Sequence, residues 1–169
     1  MTEYLSEAIV LSKESSGDAD VRVVLFTKRY GKLVAKAKSA RKITSKLAAH
    51  LEPGVRARIR VIEKNGPQVV DALEEGKVMC APHELRVLGG LLSDLEPEHA
   101  LYHALAHGTF EWRTALRTLG WDPLYASCFS CHTRTPSYFD PHTQDFFCDA
   151  CALKKPADAL LLDVREYDI

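Results

Sequence analysis

Long apolar runs are missing from this chain of 169 residues. The longest, such as Ala159–Leu162, fall far short of the ~20 residues that cross a bilayer as a helix. No basic, apolar leader follows Met1-Thr2-Glu3, so the chain is expected in the cytoplasm with no membrane partner. There is no phosphate-cradling glycine loop, no nucleophile motif and no cluster of carboxylates suited to metal-dependent cleavage, which argues against an enzyme. Cysteines number five. That odd count suits a metal site in a reducing compartment better than a disulfide framework. Net charge is scarce too, at −1. What is present, 46% apolar and 27% charged residues, is an ordinary globular composition with room for one medium domain or two small ones.

The small net charge conceals a segregated one. Between Lys28 and Arg60 lie eleven basic residues and a single acid, Glu52, for a local charge of +10; the remainder holds 11 basic and 22 acidic residues, or −11. A field so divided points one side of the molecule at an anionic partner.

Most of that basic run falls on predicted strands. Tyr4–Leu11 and Val21–Thr27 read as strands separated by the turn Ser15-Ser16-Gly17-Asp18. After Tyr30-Gly31, the stretch Lys32–Lys38 alternates with period two: Lys32, Val34, Lys36 and Lys38 share one face and Leu33, Ala35 and Ala37 the other. Ser45 is placed to cap a short helix over Lys46–Leu51 that Pro53-Gly54 ends. Val55–Glu63 then turns Arg56, Arg58 and Arg60 away from Val55, Ala57, Ile59 and Val61, and Asn65-Gly66 signals a hairpin into Gln68–Leu73. Strand-strand-strand-helix-strand-strand is the order of a five-stranded OB barrel, a common scaffold for nucleic acid. Only Tyr4, Phe26 and Tyr30 supply aromatic rings there, so binding through it should rest on charge more than on stacking.

Three short helices follow, over Pro82–Leu95, from Pro97 to Gly108, and from a Thr109 cap to Gly120. His99, His103 and His107 fall on one stripe of the second, read as a polar face rather than a metal site. Cys80 reads as a small buried hydrophobe. The last segment carries Cys128-Phe129-Ser130-Cys131 and Cys148-Asp149-Ala150-Cys151, two C-x2-C pairs 16 residues apart. Cys128, Cys131, Cys148 and Cys151 are therefore expected to bind one structural Zn2+, leaving no open coordination position. His132 and His142 lie in the intervening loop, whose Tyr138, Phe139, Phe146 and Phe147 should pack the ribbon onto the helices. The fold class is thus α+β: an OB-fold barrel over 1–79, then a helical segment over 80–169 that contains the zinc finger at 126–153.

The co-linear set Ala8–Leu11, Gly17-Asp18-Ala19-Asp20, Leu25-Phe26-Thr27, Tyr30-Gly31-Lys32, Ala35–Lys42, Leu51-Glu52-Pro53 and Trp112 to Pro123, followed by the cysteine quartet, resembles the RecO family of bacterial recombination mediators. The sequence departs from that family at Ser39, where glycine is usual, and in its shorter helical stretch. The resemblance implies binding of single- and double-stranded DNA, annealing of strands coated by single-strand-binding protein, and a RecR partner. Lys32, Lys36, Lys38, Arg41, Lys42 and Lys46, supported by Arg56, Arg58 and Arg60, are the expected phosphate contacts. The competing expectation is an adaptor whose basic face docks an acidic protein partner such as single-strand-binding protein.

Overall fold

The computed structural model describes residues 2–38 and 47–165, which fall into two compact units, residues 1–109 and 110–169. The first is built on a closed barrel of strand order β1-β2-β3-β5-β4: β1 Glu3–Ser16, β2 Asp20–Thr27, β3 Gly31–Ala37, β4 Val55–Glu63 and β5 Pro67–Lys77. Strands β3 and β4 alternate because one face fills the barrel. Ala8, Val10, Val23, Leu25, Leu33, Ala35, Ala57, Ile59, Val61 and Val69 make the shared core.

Strand β1 extends five residues past the expected end at Leu11. A register shift between Val10 and Ser12 bends it, so that Ala8, Ile9, Val10 and Leu11 are all buried in succession. It thereby pairs with β4 through Glu3–Ile9 and with β2 through Ala8–Ser16, closing the cylinder. Asn65 and Gly66 both take positive φ in the β4–β5 hairpin that their sequence announced. The expected helix before β4 is a 3-10 turn over Ala48–Leu51; its expected cap Ser45 and first residue Lys46 lie outside the described residues.

Two helices complete this unit, and both are shorter than their periodicity implied. Helix α1 covers Pro82–Leu91. Its Leu92 is already extended, so the chain turns back onto the barrel: Leu95 N–H donates to Lys32 O at 2.9 Å. Helix α2 covers His99–Ala106 and sets Tyr102 edge-on to Phe26, ring centroids 5.5 Å apart. Gly31 lies where the returning segment crosses: it has φ +71°, and a Cβ there would sit 2.0 Å from the Glu96 carbonyl oxygen.

The second unit holds α3, Trp112–Thr118. Thr109 does not cap it: its hydroxyl donates back to Ala104 O while Glu111 holds the cap position. A three-stranded sheet of order β7-β6-β8 follows, with β6 Tyr138–Asp140, β7 Asp145–Phe147 and β8 Leu162–Asp163, and a single turn α4, Asp149–Ala152, between the last two. Phe139 is its buried centre, 5.0 Å from Phe146 and 5.6 Å from Trp121. No described helix is long and apolar enough to cross a membrane.

Candidate nucleic-acid face and metal centre

The predicted basic residues divide into four groups. Lys36 and Lys38 are exposed, and neither has an ion-pair partner among the described residues. Arg41, Lys42 and Lys46 lie outside the described residues. Lys32, Arg58 and Arg60 are each engaged by an acid: Lys32 Nζ with Asp94 at 3.0 Å, Arg58 with Glu75 at 2.7 Å, and Arg60 with Glu3 at 2.8 Å. Arg56 is half-buried, with its guanidinium against Gly76.

Lys32 is the clearest departure from a solvated lysine stripe. Its side chain is only 16% exposed, and its ammonium also donates to the Gly89 carbonyl of α1 at 3.2 Å. It ties α1 and the segment after it to β3, so a ligand must compete with Asp94 for its charge.

Sequence reasoning missed Arg22, which stands directly across β2–β3 from Lys36. Both are exposed. Like charges in opposed positions of an antiparallel pair repel one another; on its other side Arg22 stands across β1–β2 from Glu14, and among the described residues neither cation makes an ion pair. Gln68 of β5 stands on the other side of Lys36. The Tyr30-Gly31 turn carried the signal. Pairing Thr27 with Gly31 across that turn fixes Arg22 opposite Lys36.

The four cysteines converge in the second unit. Their sulfur atoms all lie within 4.8 Å of one another, and Cys131 Sγ is 3.7 Å from Cys148 Sγ. Tetrahedral zinc with Zn–S near 2.3 Å requires sulfurs roughly 3.8 Å apart, so the donor set fits that ion. Two reverse turns produce the convergence. His132 N–H donates to Cys128 O, with His132 in left-handed backbone, and Ala152 N–H donates to Cys148 O at the start of α4. Burial opposes ionisation of Cys128, yet the backbone N–H groups of Cys148, Cys131 and Ser130 outweigh it and bring this thiol down to about 6. Cys151, hydrogen-bonded by Cys148, buried and beside Cys128, is pushed up to about 12. A divalent cation resolves that conflict by sharing all four thiolates. Cys80 is outside this group. Burial, then the adjacent Glu84 carboxylate, raises it to about 12, as befits an inert thiol.

Asp140 buttresses the ribbon. It is buried and accepts from His142 N–H at 2.9 Å and from Lys155 Nζ at 2.8 Å; Lys155 also lies over the Phe147 ring at 4.1 Å. Burial alone would raise this carboxyl, but Lys155 and the backbone N–H groups of His142 and Thr143 hold it below its usual value.

A small OB barrel followed by a ribbon whose four cysteines could hold a metal ion defines the class of this molecule. Through residues 1–78 the chain matches the family described as Recombination protein O N terminal. It is similar to the DNA repair protein RecO of Bifidobacterium longum, 26% identical over 89% of this chain and 74% of that protein, and to that of Desulforudis audaxviator, 28% identical over 92% and 73%. Over a shorter stretch, 41% of this chain and 28% of the relative, it is 41% identical to the DNA repair protein RecO of Myxococcus xanthus.

Proposed function

We propose that this chain is a DNA repair and recombination protein that binds DNA strands electrostatically through the β2–β3 wall of its barrel. The observation that carries this reading is the opposed pair Arg22 and Lys36, continued by Lys38; Glu14, across β1–β2 from Arg22, makes no ion pair with it among the described residues. Two cations held together at the surface gain from any phosphate that bridges them. Arg41, Lys42 and Lys46 come next in the sequence and add three positive charges. Arg58 and Arg60 contribute less, because a phosphate must displace Glu75 and Glu3.

Neutralising two complementary strands lets them approach, so the protein accelerates annealing of single strands and also holds duplex DNA without making or breaking a covalent bond. Cys128, Cys131, Cys148 and Cys151 hold a structural Zn2+. RecR and single-strand-binding protein are the protein partners in this reading, and the cytoplasm is its compartment.

Fluorescence anisotropy with a labelled single strand across a salt series tests it. Contact with about five phosphates gives a log–log slope of roughly −3.5, and the double variant Arg22→Glu with Lys36→Glu flattens that slope and weakens binding. A slope near zero for the unaltered protein overturns the proposal. So does a protein that binds an acidic peptide at low salt while ignoring the oligonucleotide.

A further inference from the structure

Aromatic side chains are distributed unevenly over the surface. In the barrel, Phe26 is fully buried, and Tyr4 and Tyr30 pack edge-on against each other at 5.1 Å. In the ribbon, Trp121, Phe139, Phe146 and Phe147 are engaged by other rings. One short segment nonetheless keeps large apolar side chains in solvent: Leu124, Tyr125 and Phe129 are 66%, 85% and 63% exposed, and of these Phe129 has a ring neighbour, Phe147, at 6.3 Å. A single exposed hydrophobe is ordinary, but three large ones within six residues form a patch that asks for an occupant.

Leu124, Tyr125, Ser127 and Arg134 line one cavity of about 280 Å³. It is held open by Cys128 N–H donating to Thr133 O at 2.8 Å and by Leu124 N–H donating to the Asp122 carboxylate at 2.9 Å. It falls just below the ~300–1,000 Å³ of ordinary small-molecule pockets, so it admits a single ring system. From Pro123 to Phe139 the chain contains no carboxylate, and Arg134 is exposed there. A flat ring, an apolar side and a guanidinium together match one chemistry, the face of an unpaired base, which stacks on aromatic and arginine planes alike.

We infer that the cavity beside the first cysteine knuckle is a nucleobase-stacking site for single-stranded DNA, with Tyr125 as the platform and Arg134 as its cationic wall. This rests on the reading that the chain binds DNA, and it assigns the ribbon a direct part in that binding. Four thiolates around a divalent ion carry net negative charge, which disfavours close phosphates and leaves the base as the contacting moiety.

The test compares a thymidine oligonucleotide with an abasic strand of the same length and phosphate number, using the zinc-loaded full chain. One stacked base is worth about 1–3 kcal/mol, so the unaltered protein should bind the thymidine strand roughly 5- to 150-fold more tightly. Tyr125→Ala should abolish that preference while leaving the abasic strand's affinity and the salt slope unchanged. Tyr125→Phe, which keeps the ring, should restore it. Irradiation of a 5-bromodeoxyuridine strand should crosslink to the peptide spanning residues 124–134. Equal affinity for the two strands, or a Tyr125→Ala variant that retains the preference, overturns the inference and leaves the patch to a protein contact. Failure of the underlying reading looks different, since then neither strand binds.

Discussion

The barrel and the ribbon achieve order by opposite means. In the barrel, five strands enclose a continuous apolar core of alternating Val, Leu, Ile and Ala, and its charged residues stay outside. In the ribbon, strands of two and three residues flank a small cluster of Cys128, Phe147 and Cys151, with an ion pair buried beside it. A segment of that size buries too little apolar surface to offset its chain entropy and needs a staple. One sequence thus contrasts a region where hydrophobic burial suffices with one where four convergent sulfurs could supply the staple.

Metal removal should separate the two most sharply. Structural zinc contributes roughly 10–16 kcal/mol of apparent binding energy to sites of this kind. A strong chelator, or Cys128→Ser, should therefore unfold the ribbon while the barrel's far-ultraviolet circular dichroism and its salt-dependent DNA binding persist. Loss of both units together would erase the contrast.

Asp140→Asn should be next in size. It strands Lys155, and because Lys155 keeps some solvent contact the loss should be roughly 2–3 kcal/mol, below the 3–5 of a fully buried pair. The pH dependence has a defined sign. Asp140 is depressed in the folded state, so its contribution is complete above the ordinary value of 3.8 and is lost as pH falls through the folded value. Thermal melts of the ribbon should show this acid-side loss in the parent and lack it in Asp140→Asn.

Gly31→Ala probes the barrel unit instead. An L-residue in left-handed backbone loses about 1–2 kcal/mol, and the overlap with the Glu96 carbonyl adds to it. The expected result is release of the segment that follows α1, read as faster amide exchange at Leu95, with the ribbon's metal affinity unchanged.

Much of this was legible in the sequence because its signals are periodic or fixed in spacing. Alternation in Lys32–Lys38 and Val55–Glu63 located two strands, and the paired C-x2-C knuckles located the sulfur cluster without any knowledge of the fold. What stayed hidden depends on contacts between distant residues. Lys32 looks like any lysine on a solvated face, and only the return of Asp94 from the end of α1 converts it into an anchor. Arg22 looks like an interruption of an apolar strand until register sets it opposite Lys36. The exposed ring of Tyr125 carries no periodic signal at all, since it sits in a turn after α3.

Every seam of the barrel but one is a long antiparallel ladder. The exception joins β3 to β5, where the strands run parallel and, among the described residues, meet through one registered pair, Lys36 with Gln68. The cylinder is therefore unequally stitched, with its loosest stitch directly beneath the lysine that opposes Arg22. An anion lodged there would act as a clasp across the joint, so that occupancy and mechanical stiffness of the wall rise together.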